Sequence, residues 1–128
     1  MNTKILMVSS AGLMAGLGIT ASFFSQEIMN YTGTGSVSAV YLVVQVIGAL
    51  YLGFAFMNWM ARANIIGGIY SKPLAMGNFM HFFVATMALI KALPANMDLP
   101  VVWILTIVYG VFAFLFGWVA FTKPARLK

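Results

Sequence analysis

The side chains able to do chemistry are few, and most of them stand among apolar residues. Tyr41, Gln45, Tyr51 and Asn58 fall within residues 37–60, and Asn78, His81 and Thr86 within residues 73–93. A polar group surrounded by hydrocarbon must be satisfied inside the protein or in a water-filled cavity, so these positions are the chain's pointers to function. Asn78 and His81 are three apart and share a helix face that Ala85 and Ala88 continue, while Asn58 falls on the face of Tyr51 and Arg62. By helical rise, His81 lies about 12 Å into its stretch and Gln45 a similar distance from the other end of its own, so a contact near mid-membrane is possible. Two chemistries follow. Gln45, Asn58, Asn78 and His81 can tie helices together through hydrogen bonds worth about 0.6 kcal/mol each. Alternatively, with Tyr51 and Arg62, they bind a ligand in a small polar pocket between the second and third spans, open to the cytoplasmic leaflet and suited to a lipid head group or other amphipath. The first reading is preferred.

Harder chemistry lacks its reagents. The only acids, Glu27 and Asp98, lie outside the apolar stretches. This removes the membrane-embedded carboxylate of proton-coupled multidrug-type exporters and the carboxylate pairs of di-iron bundles. It also leaves His81 without the acidic partner that a general base needs, with Asn78 only orienting a substrate. One histidine gives one ligand, so a haem held by two would need a partner chain. The absence of cysteine excludes disulfides, thiolate metal sites and cysteine catalysis. The ten methionines are scattered apolar filler and a poor copper site. No catalytic residue, metal or cofactor is expected, and the chain reads as non-enzymatic.

The elements that must position these residues are four apolar blocks, at about 5–24, 37–60, 73–93 and 101–122. Each reaches about 30 Å as a helix, the thickness of the hydrocarbon layer. A mean hydropathy of +0.98 with 7% charged residues fits a chain whose surface faces lipid. A transmembrane barrel would need shorter segments alternating apolar and polar, and LVVQVIGALYLGFAFM does not alternate. The expected fold is an all-α membrane protein, a single domain over residues 1–128 in which four transmembrane helices form a bundle. MNTK followed by a long apolar run resembles a signal peptide, but a clean small-x-small cleavage site is missing, and a retained helix is preferred.

Lys4, Arg62, Lys72, Lys123, Arg126 and Lys128 all belong to one side of such a bundle, leaving Lys91 and both acids on the other. The positive-inside bias therefore puts both termini in the cytoplasm, in a bacterial cytoplasmic (inner) membrane. The net charge of +5 reads as a topology signal and an attraction to anionic lipid, with no nucleic-acid surface among seven dispersed cations.

Packing is written in the small residues. Gly12, Gly16 and Thr20 recur every four positions beside Ala11 and Ala15, and the last block carries Thr106, Gly110, Ala113, Gly117 and Ala120. Such rows let helix backbones approach, so Gly12, Gly16, Gly110 and Gly117 are the expected packing positions and the first and fourth spans the expected neighbours. An intramolecular seam is preferred to one with a second subunit. Trp59, Trp103 and Trp118 mark span ends, where indoles favour the interface. The aromatics of the last block read as a lipid-facing belt in preference to a platform for a pigment, quinone or sterol.

The join Arg62–Phe79 is the most distinctive segment. Pro73 suits a helix start, and Ile65, Ile66 and Ile69 are too apolar for a solvated loop, so the segment is expected against the membrane surface or beneath the bundle. Its Gly67–Gly68 pair follows an apolar span instead of a strand and lacks the spacing of a nucleotide-binding loop. With four spans and cytoplasmic termini, GGIYSKPLAMG resembles the corresponding join of the DoxX-like group of small four-helix membrane proteins, over about a third of the chain. That resemblance implies an accessory membrane subunit and transfers no catalytic residue. The intramembrane charges that many members carry are missing here. The expected function is an accessory, assembly or interaction subunit of a membrane complex or homo-oligomer, with lipids and other membrane subunits as partners. The alternatives are a small transporter or channel lined by Gln45, Asn58, Asn78 and His81, and a lipid- or quinone-binding protein.

Overall fold

The computed structural model describes residues 2–33, 37–64, 66 and 68–122. Ile65, Gly67, Lys123, Arg126 and Lys128, to which the sequence reading assigned roles, lie outside the described residues. Every regular element among the described residues is helical: α1 (Thr3–Phe23), α2 (Ser25–Thr32), α3 (Ser38–Ala61), α4 (Lys72–Ala92) and α5 (Pro100–Phe121), with a 3₁₀ turn at Leu93–Ala95. Four of these are long and apolar enough to cross a membrane, making this a multi-pass membrane protein. The chain divides into two compact units, Met1–Ala63 and Asn64–Lys128.

In the first unit, α1 starts on an Asn2 cap whose side chain accepts the Lys4 N–H at 3.1 Å. It stops where the apolar run gives way to Ser25, Gln26 and Glu27. Phe24 leaves the helical region there, with φ −119° and ψ 32°. The short α2 that follows was not foreseen from the sequence. Ser25 and Met29 form its buried side, and Gly33 closes it in the left-handed conformation at φ +69°, a position suited to glycine. α3 then returns antiparallel to α1, since Ser10 meets Asn58 and Gly18 meets Gly48. Lys4 and Arg62 are therefore at one end of this hairpin and α2 is at the other.

The closest approach of α1 and α3 corrects the expected seam. A Cβ on Gly12 or Gly16 would meet nothing within 4 Å. On Gly18 it would stand 2.8 Å from Leu52 Cγ and 2.9 Å from Leu52 N; on Gly48 it would stand 2.7 Å from Ser22 N. Residue 16 lies about half a turn and residue 12 about 1.7 turns before residue 18, and both point away from it around the helix, so the four-residue spacing picked out an open row on a different face of α1 from the contact. Within this unit the small residues of the first span that make close contact, Gly18 above all, pack on the second span.

In the second unit, Pro73 and Pro100 open α4 and α5 in the first turn, where a missing N–H is harmless. The two helices are antiparallel: Thr86 lies beside Gly110 and Phe79 beside Gly117. Here too the fourth span's small residues meet a sequence neighbour, the third span. A Cβ on Gly117 would stand 3.0 Å from Phe79 Cε2, whereas one on Gly110 would make an ordinary 3.7 Å contact with Thr86 Cγ2. Between the helices Phe82, fully buried, stacks on Phe112 and Phe116 at centroid distances of 5.0 and 5.6 Å and meets Tyr109 edge-on at 5.1 Å. Part of the aromatic complement of the last span is thus core, while Phe114, Trp118 and Phe121 remain exposed.

Candidate functional site

The polar residues within the spans divide between the two units. In the first, Asn58 is fully buried near the end of α3, and its amide Nδ2 donates to Ser10 Oγ at 3.0 Å. Ser10 Oγ in turn donates to the Met7 carbonyl at 3.0 Å and is itself fully buried. Sequence reading passed over Ser10. Its small side chain gave no signal of its own, but it lies next to Ala11 and one turn before Met14 on the buried face of α1. Gln45 is exposed and its Nε2 reaches Ser25 Oγ at 3.5 Å, fastening α2 loosely to α3. Tyr51 is half-buried.

Arg62 sits just beyond α3. Its guanidinium carbon lies 4.1 Å from the centroid of the Trp59 ring, and Nη1 donates to the Trp59 carbonyl at 2.6 Å. A guanidinium stacked on an indole keeps its remaining N–H groups along its edge, where they can take a phosphate or carboxylate.

Between α1 and α3, in the half of the hairpin that ends at Arg62, lies an open groove of about 310 Å³. Ala11, Gly12 and Ala15 line it from α1, and Ala55, Phe56 and Trp59 from α3. Ala11 and Ala55 are buried at its floor; Phe56 and Trp59 stand exposed at its wall. The open row at Gly12, expected as a packing contact, is part of this groove.

In the second unit, Asn78 is fully buried and donates from Nδ2 to the Leu74 carbonyl at 3.0 Å. The His81 ring lies against Phe82 and Tyr109, at centroid distances of 5.1 and 5.8 Å. Asn78 and His81 share α4, as their spacing predicts, among aromatic and apolar neighbours. Among the described residues no three histidine, cysteine, aspartate or glutamate side chains converge into a metal-binding group.

In the join, Ile66 is buried while Ile69 and Tyr70 are almost wholly exposed. The apolar character that set this segment apart is therefore divided between an inward residue and an outward pair. Comparison with known proteins finds no matching family model, curated protein or solved structure.

Proposed function

We propose that this chain is a non-enzymatic subunit of a membrane assembly, built of its own copies or with other membrane proteins. Its seat is a bacterial cytoplasmic membrane, with both termini on the cytoplasmic side. The observation that carries this reading is how Asn58 is used. The most deeply buried polar group of α3 is bonded to the neighbouring helix through Ser10, which is the work of a structural polar residue. The surface available for partners is correspondingly apolar. Val43, Val46, Leu50, Met57 and Met60 run along α3 at steps of three, four, seven and three residues, and all are exposed. That spacing suits the seam of a second helix, and Gly53, open in the same row, lets a backbone come close. The likeness of the GGIYSKPLAMG join to the DoxX-like group supports an accessory role.

Native mass spectrometry of the chain in gentle detergent, after crosslinking in its own membrane, tests the proposal. A defined oligomer, or a membrane protein held in fixed ratio, is the expected result. Monomer alone under both conditions overturns it.

A further inference from the structure

We propose that the groove between α1 and α3 holds one acyl chain of an anionic phospholipid, whose phosphate is taken by Arg62. The groove and the cation are joined through one residue. Trp59 forms the groove's end wall and also carries the Arg62 guanidinium on its ring. From Arg62 back to Ala55 is about 10 Å along α3, so a phosphate at the guanidinium would lead its methylenes past Trp59 to the buried Ala55 and Ala11.

Size and charge select this occupant. A volume of about 310 Å³ is at the small end of ligand pockets, which begin at about 300 Å³. A transmembrane helix with its side chains is about 10–12 Å across and does not enter such a groove. A bulky side chain from a second copy would fit, but it would leave the guanidinium edge unused. Lys4, exposed at the same end of the hairpin, adds a second cation, whereas Glu27, the one acid of this unit, sits on α2 at the opposite end. The local field therefore favours an anion at the mouth. The walls offer no polar group to a quinone ring or a sterol hydroxyl, because every side chain lining the groove is apolar except for the Trp59 indole N–H. This site is independent of whether the chain assembles with others.

The test uses the full chain reconstituted in vesicles of equal phosphatidylcholine and phosphatidylglycerol, extracted gently and weighed by native mass spectrometry. One retained phosphatidylglycerol per chain is expected, favoured about tenfold over phosphatidylcholine. Arg62→Gln removes that preference and leaves the fold, read by circular dichroism, intact. Gly12→Leu fills the groove and lowers retention of both lipids at least tenfold, while Gly16→Leu, also at an open position but outside the groove, leaves retention unchanged. Should Gly12→Leu not fold, Ala15→Phe fills the same space from the next turn. Equal retention of the two lipids by the native chain, no effect of filling the groove, or a crosslink from position 12 to a second copy overturns the proposal.

Discussion

Gly18 and Gly48 face each other across α1 and α3 so closely that each occupies the place of the other's missing side chain. A Cβ on Gly18 would stand 3.0 Å from the Gly48 carbonyl oxygen, and one on Gly48 would stand 2.9 Å from the Gly18 oxygen. The reciprocity means that backbone lies against backbone, a geometry that favours Cα–H···O contacts and that no rotamer change can relieve.

Gly48→Ala therefore forces the helices apart. Overpacking of this kind costs about 1–3 kcal/mol, more than the helix-propensity gain of about 1 kcal/mol that alanine brings. The net loss is expected as a lower melting temperature in detergent, with Gly18→Ala close behind. Gly16→Ala, with nothing within 4 Å of its new methyl, keeps the propensity gain and melts at or above the native temperature. If Gly16→Ala were the more damaging change, the α1–α3 contact described here would be wrong.

These glycines also mark how far the sequence could be read. Four spans were legible because apolar blocks of helical length leave the backbone no other way to satisfy itself in lipid. The start at Pro73 was legible from proline's missing N–H. The helix pairing was not. Small residues occur on several faces of α1, and sequence spacing cannot tell Gly18, which touches, from Gly12 and Gly16, which border open space. Nor was α2 visible, since Ser25–Thr32 is too short and polar to register beside the spans. Of the candidate site residues, Asn58 and Asn78 could be picked as buried polar groups, but Ser10, the partner that explains Asn58, looks like any small residue in a span.

The Asn58–Ser10 hydrogen bond has a measurable energy. Interhelical hydrogen bonds in membranes average about 0.6 kcal/mol and reach about 1.7, because the separated helices also find partners. A double-mutant cycle of Ser10→Ala and Asn58→Ala, read by unfolding in detergent, is expected to give a coupling near the lower figure. A coupling of zero would mean that the 3.0 Å contact contributes nothing to the α1–α3 pair. Ser10→Ala should cost at least as much as Asn58→Ala, since it takes an acceptor from a buried amide, whereas Ser10 Oγ retains the Met7 carbonyl when Asn58 is removed.

In the second unit the decisive residue is Phe82. Truncating it empties the space between Tyr109, Phe112 and Phe116. In lipid the loss is mainly of packing, because the ring does not move between water and protein, and about 2 kcal/mol is expected for Phe82→Ala. Phe114→Ala, on the exposed side of the same aromatic run, should stay within about 0.5 kcal/mol. Gly117→Ala falls between them. Its methyl would press on the Phe79 ring edge at 3.0 Å, and the half-buried ring can tilt, so Phe79→Leu should recover most of that loss. Equal melting temperatures for Phe82→Ala and Phe114→Ala would refute this core.

Orientation can be checked directly because the chain has no cysteine of its own. Asn2, Asn30, Asn64 and Asp98 are all exposed and lie beyond the ends of the spans, so single cysteines there report the side on which each connection emerges. The basic residues cluster with the first and third of these positions: Lys4 beside Asn2, Arg62 and Lys72 around Asn64. Glu27 accompanies Asn30, and Lys91 is the only cation near Asp98. Because cations resist translocation while acids contribute little, Asn2→Cys and Asn64→Cys should react with a membrane-impermeant maleimide only after the inner face is opened. Asn30→Cys and Asp98→Cys should react in intact cells. Labelling of Asn2→Cys and Asn30→Cys from the same side would mean that α1 does not cross, and the placement of Arg62 at an anionic cytoplasmic leaflet would fall with it.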